Sequence, residues 1–457
     1  MIFYARGIYF DPGAQEVVKT GIILVDTNLP RVTVQLDEQE PRIESDPVAI
    51  RNVLPGRHHV AIWRDGYKTW QTYVDVQEEK VTRIEGATLF LAEPIASTPI
   101  QGALDMIQAS PNAKHWLYTI TTGDNAGLWL HTSSEEKNRR LFDEKEVDPA
   151  AIDNIVWSSD SETAVLAGKD SYLLVEPFRT QPRLRKIVSR NLITEFNDVQ
   201  IDQANSTAVY YRTVAKDLFS LVTSEPDAKP ALLSSDIETF NVGHPKIFAI
   251  RDKGRTQELI SIDVRALENK PASIATLTGS ELVQLQISTA AHVSILQDAV
   301  LSLLEREDGG YIFTALATSV TEAAWSNDAR FLMYQRAGEI WVHDEDPIEG
   351  EEPEALLTRL SRPVAELQWR DDNQHVLFLS RDPAGLQTIK SLLVSRNAPL
   401  TQEIIQLPQD ANAETLQLQF IAQDRDVLYV SGTGNKKTVN LVTIEASPNF
   451  SFPDLLP

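Results

Sequence analysis

The stretch Ala323-Ala324-Trp325-Ser326-Asn327-Asp328, followed by Phe331-Leu332-Met333-Tyr334, is the clearest copy of a pattern that recurs through most of the chain. An apolar strand ends in tryptophan, a polar turn follows, and a second apolar strand comes next. A third apolar strand, Ile340-Trp341-Val342, continues the pattern. The unit is therefore predicted to be a set of consecutive β-strands joined by turns. Two further clear copies are Ile155-Val156-Trp157-Ser158-Ser159-Asp160 before Ala164-Val165-Leu166-Ala167, and Leu367-Gln368-Trp369-Arg370-Asp371-Asp372 before Val376-Leu377-Phe378-Leu379.

The spacing of the copies predicts the architecture. The last core residue of each first strand recurs about every 45 residues, which is the length of a four-stranded propeller blade. We predict that residues 95–457 form an eight-bladed β-propeller. Seven blades is the alternative, because the copies at Val242 and Ile287 are degenerate. The eight markers are Ile107, Trp157, Ile201, Val242, Ile287, Trp325, Trp369 and Phe420.

The last copy predicts how the ring closes. After the strands at Val427-Leu428-Tyr429-Val430 and Val439-Asn440-Leu441-Val442-Thr443, few residues are left for a fourth strand. We expect the outer strand of this blade to come from residues 96–102, before the first blade. Such a clasp protects strand edges, which a propeller must cover.

The repeat resembles the TolB-like and WD40-like propellers, whose blades carry a Ser-Pro-Asp-Gly turn between the first and second strands. Altered forms of this turn occur at Ser110-Pro111-Asn112-Ala113, Ser159-Asp160-Ser161-Glu162 and Ser326-Asn327-Asp328-Ala329. The resemblance implies the propeller fold and says little about function.

Residues 1–94 are predicted to be a separate small β-sandwich. Val32-Thr33-Val34-Gln35-Leu36-Asp37 alternates apolar and polar residues, as a half-buried strand does. Leu54-Pro55-Gly56 and Asp65-Gly66 have the composition of tight turns between strands. Trp70-Gln71-Thr72-Tyr73-Val74-Asp75-Val76 is the predicted return strand.

This segment resembles a PEGA domain over about residues 17–91. Two positions depart from that family: its name-giving tetrapeptide is missing, and Glu38 replaces a usual glycine. The resemblance implies a bacterial cell-envelope protein outside the cytoplasm, membrane-anchored in its native form; a cytoplasmic location is the alternative. It rests on Gly21-Ile22-Ile23-Leu24-Val25, Val32-Thr33-Val34-Gln35-Leu36-Asp37, Leu54-Pro55-Gly56-Arg57-His58-His59-Val60, Gly66-Tyr67 and Val74-Asp75-Val76.

The composition narrows the classes of function. The formal net charge is −23, and such an acidic protein repels phosphate backbones, so we expect no nucleic-acid partner. The chain contains no cysteine, which excludes disulfides, thiolate metal sites and cysteine nucleophiles. No run of about 18 apolar residues is present. The apolar start Met1–Phe10 is either the remnant of a membrane anchor or a first strand.

The sequence contains no recognisable catalytic motif, and we assign no catalytic, cofactor-binding or metal-ligating residue. Gly432-Thr433-Gly434 is interpreted as a hairpin turn, with a phosphate-binding loop as the alternative. His58 and His59 are neighbours in a strand, so their side chains point to opposite faces. The acidic run 344–354 is interpreted as a solvated loop, with calcium binding as the alternative. His115, His292 and His375 occupy similar blade positions and are interpreted as turn residues, with a shared site as the alternative.

Aromatic residues around the Asp65-Gly66 turn are the candidates for recognition. Trp63 and Trp70 flank this turn and are expected to be partly exposed, and Tyr67 belongs to the same set. The tryptophans of the repeat are expected to pack between blades instead.

These observations predict a non-enzymatic, acidic binding or scaffold protein that needs no cofactor. The propeller would offer one rigid face to a protein or a cell-surface polysaccharide. The alternative is a hydrolase or lyase that acts on glycans or peptides in the funnel of the propeller, where carboxylates with raised pKa would be expected.

Overall fold

The computed structural model describes residues 8–11, 16–101, 104–110, 114–132, 137–158, 161–168, 171–186, 196–202, 205, 207–222, 229–277, 284–307, 309–347, 352–362, 364–370, 372–382, 385–396, 398–407, 418–421, 426–433 and 436–445. These residues form 41 β-strands and one short 3₁₀ helix, Pro149–Ala151. The chain is therefore an all-β protein, as its sequence predicts.

The N-terminal part is a sandwich of two sheets, preceded by a hairpin of β1 and β2. One sheet has the strand order β6-β3-β9 and the other β5-β4-β7-β8. The apolar start becomes strand β1 from Ile8 onward, and residues 1–7 lie outside the described residues. The strands are β1 (Ile8–Asp11), β2 (Glu16–Lys19), β3 (Gly21–Thr27), β4 (Arg31–Leu36), β5 (Arg42–Ser45), β6 (Val48–Val53), β7 (Gly56–Trp63), β8 (Trp70–Val76) and β9 (Val81–Ala87).

Alternation of apolar and polar residues places the core of the sandwich between its two sheets. Val34 of β4, Ile62 of β7 and Val74 of β8 are buried, while Gln71 and Tyr73 of β8 are exposed. Successive strand residues point to opposite faces, so each strand contributes every second side chain to the core.

The rest of the described chain forms eight four-stranded sheets, which is the number of blades predicted from the repeat. Blade 1 contains β11 (Leu104–Ala109), β12 (His115–Ile120), β13 (Gly127–Thr132) and β14 (Lys137–Asp143); blade 2 contains β15 (Asn154–Trp157), β16 (Ala164–Gly168), β17 (Ser171–Glu176) and β18 (Arg183–Lys186); blade 3 contains β19 (Phe196–Ile201), β20 (Ala208–Thr213), β21 (Leu218–Val222) and β22 (Ala231–Ser234); blade 4 contains β23 (Ile237–Gly243), β24 (Lys246–Asp252), β25 (Gln257–Asp263) and β26 (Ala272–Leu277). Blade 5 contains β27 (Gln284–Ile287), β28 (Val293–Gln297), β29 (Val300–Glu307) and β30 (Gly310–Thr318); blade 6 contains β31 (Val320–Trp325), β32 (Phe331–Arg336), β33 (Glu339–Asp344) and β34 (Glu354–Arg359); blade 7 contains β35 (Ala365–Trp369), β36 (His375–Arg381), β37 (Gln387–Leu393) and β38 (Leu400–Gln406); blade 8 contains β39 (Leu418–Ile421), β40 (Asp426–Thr433), β41 (Lys436–Thr443) and β10 (Ile95–Gln101).

The ring closes through a strand from the start of the propeller. β10 pairs antiparallel with β41, with Ile95 opposite Thr443 and Ile100 opposite Val439. It forms the outer strand of blade 8, which the sequence analysis predicts to come from residues 96–102. The sandwich leads directly into this closing strand.

Tryptophans at the ends of inner strands connect neighbouring blades. The indole nitrogen of Trp157 in blade 2 donates to the carbonyl of Gln108 in blade 1 at 3.1 Å. Trp369 in blade 7 donates in the same way to the carbonyl of Ala324 in blade 6 at 2.9 Å. Their rings are buried, so each combines apolar packing with a satisfied indole donor.

The two ends of the propeller are not equivalent. Strands alternate in direction within a blade, so first–second and third–fourth connections emerge at one end. The sandwich contacts this end: Ala398, in the third–fourth connection of blade 7, belongs to its core, and the Leu91 amide donates to the Ile444 carbonyl just after β41. We call this end the capped face and the other end the opposite face.

Candidate functional site

The junction between the sandwich and the propeller is built around a buried arginine. Arg370 follows Trp369 at the end of the inner strand of blade 7, and its side chain is only 2% exposed. Its Nη2 lies 2.5 Å from Oε1 of Glu445. The other carboxylate oxygen of Glu445 accepts a hydrogen bond of 2.9 Å from Nδ2 of Asn28 in the sandwich. One carboxylate therefore joins blade 7, the segment after blade 8 and the sandwich.

Asp372 and His375 complete the polar side of the junction. Oδ2 of Asp372 lies 2.7 Å from Nδ1 of His375, and Oδ1 accepts from the backbone amides of Gln374 and His375. Burial opposes ionisation of Asp372, but the hydrogen bond and charge of His375 and the charge of Arg370 outweigh it and lower its pKa to about 2. Asp372 is therefore an anion at neutral pH.

Phe90 provides the apolar side of the junction. Its fully buried ring packs with Leu377 of blade 7 and with Val427 and Ile444. The guanidinium carbon of Arg370 lies 5.6 Å from the ring centroid, a cation–π distance. Because this side chain extends from the sandwich into the core between blades 7 and 8, the two modules share one packed interior.

Lys68 attaches the sandwich to the outer strand of blade 7. Its Nζ donates to the backbone carbonyls of Glu403 and Ile404 at 2.6 and 2.7 Å. Burial lowers the pKa of Lys68, and the nearby charge of Glu403 partly offsets that effect. The contacts of Lys68, Phe90 and Arg370 together fix the sandwich on the capped face.

A cavity of about 440 Å³ lies beside this network. Its sandwich wall includes Arg83, which bonds both Nε and Nη2 to Oδ2 of Asp26 at 3.0 Å. Gly86 has φ +74°, and a Cβ there would collide with the side chain of Gln374. The positive φ of Gly86 and the close approach of blade 7 both favour glycine at this position. No group of three or more metal-ligating side chains is present among the described residues.

Two of the three predicted recognition residues are core residues. Trp70 was expected to be partly exposed, but it is fully buried, because it shares the inward face of β8 with Val74 and Val76. Tyr67 is 8% exposed and belongs to the same core, next to Leu91. Trp63 is half-buried at the end of β7. Part of the Trp63 side chain is therefore exposed to solvent.

The predicted histidine positions do not converge on one site. His115, His292 and His375 lie in blades 1, 5 and 7, at or just before the second strand. His58 and His59 point to opposite faces of β7: Nδ1 of His58 lies 2.7 Å from a carboxylate oxygen of Asp37, and the ring of His59 lies beside Tyr73.

The acidic run and the last hairpin have structural roles where they are described. Asp344, which opens the acidic run, is only 3% exposed, and Arg330 and Arg396 approach it at 3.1 and 3.8 Å. The expectation of a solvated carboxylate is wrong at this position, because two guanidinium groups surround it. Gly432 and Thr433 end β40 in a hairpin with β41, and Gly434 lies outside the described residues.

One carboxylate of an inner strand has a raised pKa. Burial raises the pKa of Asp198 in β19, and the charge of Arg212 on the neighbouring strand offsets part of that rise. A raised pKa is what a general acid requires, so Asp198 is the residue to vary in a test for an enzyme.

Several large apolar side chains are exposed to solvent at the capped face. Five large apolar side chains, each 37–47% exposed, lie at the ends of third and fourth strands or in their connections. We call them the capped-face rim. Two other exposed apolar residues of the propeller lie away from it: Val214 in the second–third connection of blade 3, and Leu232 on outer strand β22. The rim consists of Ile95, Phe178, Val222, Tyr311 and Ile312.

Sequence reasoning missed Arg370, Glu445, Asn28 and Phe90. Arg370 carried a visible signal, since arginine replaces the serine that follows the same tryptophan in Trp157-Ser158 and Trp325-Ser326. The partners carried none, because Glu445 is 75 residues from Arg370 and 417 from Asn28.

Comparison with solved structures supports the propeller. A eukaryotic initiation factor superposes with a TM-score of 0.53 at 11% identity, covering 87% of this chain and 95% of that chain. Sqt1 from Chaetomium thermophilum gives 0.51 at 11% identity, with coverages of 78% and 100%. The WD40 domain of SCAP from fission yeast gives 0.50 at 10% identity, with coverages of 77% and 98%. At these identities the similarity establishes the fold alone.

Family comparison identifies the sandwich. No curated protein matches the chain. No helix among the described residues is long and apolar enough to cross a membrane. The PEGA domain family matches residues 20–88, so the chain consists of a PEGA domain packed on the capped face of a β-propeller.

Proposed function

We propose that this protein is a non-enzymatic, protein-binding scaffold of the bacterial cell envelope, and that its partner binds the capped face. The capped-face rim carries this proposal. Its five exposed large apolar side chains lie at one end of the ring, and apolar surface of this kind is what a protein partner would cover. The five rim residues come from blades 2, 3, 5 and 8, so the contact would be broad.

The rigid attachment of the PEGA domain supports this role. Arg370, Glu445 and Phe90 hold the domain on the same face as the rim. A surface whose two parts are already fixed loses little conformational entropy when a partner binds. The PEGA domain thereby acts as part of the binding platform.

The proposed location rests on the PEGA domain, because such domains typically occur outside the cytoplasm. We propose that a native anchor upstream of, or at, Met1–Phe10 attaches the protein to the membrane. The partner would then be another envelope protein.

The test is capture of a partner from bacterial envelope extract by the full chain and by two matched double variants. Tyr311→Ser/Ile312→Ser removes two rim residues of blade 5. Val214→Ser/Leu232→Ser removes two similarly exposed residues of blade 3 outside the rim. We expect the first variant to lose a partner that the second retains, with equal melting temperatures.

Retention of the same partner by both variants would disprove the assignment to the rim. Turnover of a glycan or peptide panel by the full chain, abolished by Asp198→Asn, would instead establish an enzyme in the funnel.

A further inference from the structure

The second sheet of the PEGA domain has an outer face that the propeller contacts described above do not use. In β4, β7 and β8, the residues Val34, Ile62 and Val74 point into the core, so the intervening residues point outward. The outer residues include Trp63 at one end and Tyr73 at the other. We call this surface the outer sheet face.

Strand register arranges these side chains in rows. Trp63 is opposite Thr33, which is opposite Ile43, and Ile43 is 67% exposed. Two residues before Trp63 in β7, Ala61 lies opposite Gln35 of β4 on one side and opposite Gln71 of β8 on the other. At about 3.4 Å per residue, successive rows are roughly 7 Å apart. A row of amides therefore separates two aromatic rows.

The far row carries the most accessible aromatic ring. Tyr73 is opposite His59 and is 58% exposed, with the two ring centroids 5.1 Å apart. The Arg57 guanidinium lies 5.0 Å from the centroid of the Tyr73 ring. Because β8 is the edge strand of its sheet, the side of Tyr73 away from His59 has no neighbouring strand.

This arrangement has the chemistry of a saccharide platform. Aromatic rings offer flat apolar area to the C–H faces of pyranose rings, and amides both donate to and accept from hydroxyl groups. The charged pair nearest to Tyr73 is Arg57 opposite Asp75, whose charges cancel. With the outward Arg31 of β4, the charged residues of this face sum to only +1, whereas the whole chain has a net charge of −23, which would repel a polyanionic glycan.

We propose that the outer sheet face binds a neutral polysaccharide chain, which stacks on Trp63 and Tyr73 and bonds to Gln35 and Gln71. This site is independent of the protein contact proposed for the capped-face rim. It would give the scaffold a second attachment, to envelope or surface polysaccharide.

The test is calorimetric titration of the full chain with hexasaccharides of β-1,4-linked glucose, β-1,4-linked N-acetylglucosamine and β-1,4-linked mannose, with oligogalacturonate as the anionic control. We expect a neutral hexasaccharide to bind and the anionic one not to bind. Trp63→Ala and Tyr73→Ala should each weaken binding about tenfold, the loss expected when one stacking contact is removed. Tyr311→Ala, a similarly exposed tyrosine of the propeller, should have no effect.

Three results would overturn this proposal. The first is no binding of any neutral hexasaccharide, and the second is equal weakening by Tyr73→Ala and Tyr311→Ala. The third is loss of the captured protein partner, without loss of saccharide binding, in Tyr73→Ala; this face would then be a protein contact. Since Tyr73 is exposed, its variant should fold even if Trp63→Ala does not.

Discussion

The first turn of blade 7 and the equivalent turns of blades 1, 2, 5 and 6 each begin with a residue whose backbone amide donates across the turn, but blade 7 has a different side chain at that position. In the four other blades this residue is Ser110, Ser158, Ser288 or Ser326, and its hydroxyl accepts a backbone amide across the turn at 3.0–3.1 Å. In blade 7 it is Arg370, whose backbone amide still donates to the His375 carbonyl at 2.8 Å, as Ser326 does to Phe331.

Blade 7 keeps its turn because another residue provides the cap. Asp372, two residues further on, accepts the His375 amide that a serine hydroxyl would otherwise satisfy, and also the Gln374 amide. The repeat position is therefore available for a side chain that reaches Glu445. One blade of a repeat can therefore acquire an interdomain contact without losing its local turn.

The largest loss of stability is expected when the Phe90 ring, which lies beside Arg370, is removed. Phe90→Ala should lower the free energy of unfolding by about 4 kcal/mol, because it leaves a cavity between blades 7 and 8. Chemical denaturation followed by tryptophan fluorescence would measure this. The exposed-residue control Leu232→Ala should change stability by less than about 1 kcal/mol. Equal effects of the two variants would mean that Phe90 does not hold the junction.

Replacing Arg370 with serine, the residue at this position in blades 1, 2, 5 and 6, tests directly what the arginine contributes to blade 7. Arg370→Ser should lower the free energy of unfolding by about 3 kcal/mol, because the buried Glu445 carboxylate loses its guanidinium partner. Adding Glu445→Gln should recover part of that loss, which a double-mutant cycle measures. An unchanged free energy of unfolding in Arg370→Ser would show that the arginine contact with Glu445 does not stabilise the protein.

Acidification should remove the contribution of the Asp372 cap. The pKa of Asp372 is about 2 in the folded protein, below the ordinary value of 3.8, so its stabilisation is present above pH 4 and is lost as the pH falls toward 2. Asp372→Asn should therefore cost about 2 kcal/mol at pH 7 and much less at pH 2.5. Denaturation midpoints at both pH values would test this. A gap of the same size at both would show that the carboxylate charge does not matter.

The smallest effect is expected in an ordinary blade. Ser326→Ala should cost about 1 kcal/mol, because it removes the hydroxyl that accepts the Phe331 amide but leaves no buried charge behind. Denaturation beside Arg370→Ser would compare the two positions directly. A larger loss of stability in Ser326→Ala than in Arg370→Ser would contradict the prediction.

Regular spacing made most of the fold predictable. The repeat of Trp157, Trp325 and Trp369 reveals the inner strands, because each tryptophan is the last residue of the first strand of its blade. Closure was also predictable, since the last copy lacks a strand. The inward position of Trp70 could have been predicted as well, because it shares strand parity with Val74 and Val76.

The junction could not be derived in the same way. Arg370 is visible as a break in the repeat, but its contact with Glu445 depends on where the PEGA domain sits. Phe90 is one apolar residue in an apolar segment, and no periodicity indicates that it enters the core of the other module. Long-range contacts of single residues leave no local pattern.

The pairing of β10 with β41 also determines the order of events during synthesis. Ile95 is translated 348 residues before its partner Thr443. At about 5–20 residues per second, a ribosome needs roughly 20–70 s to cover that distance. During this interval β10 lacks its neighbour β41, and Phe90 lacks its packing partners Val427 and Ile444. Both modules therefore reach their final state together, when the third strand of blade 8 is made.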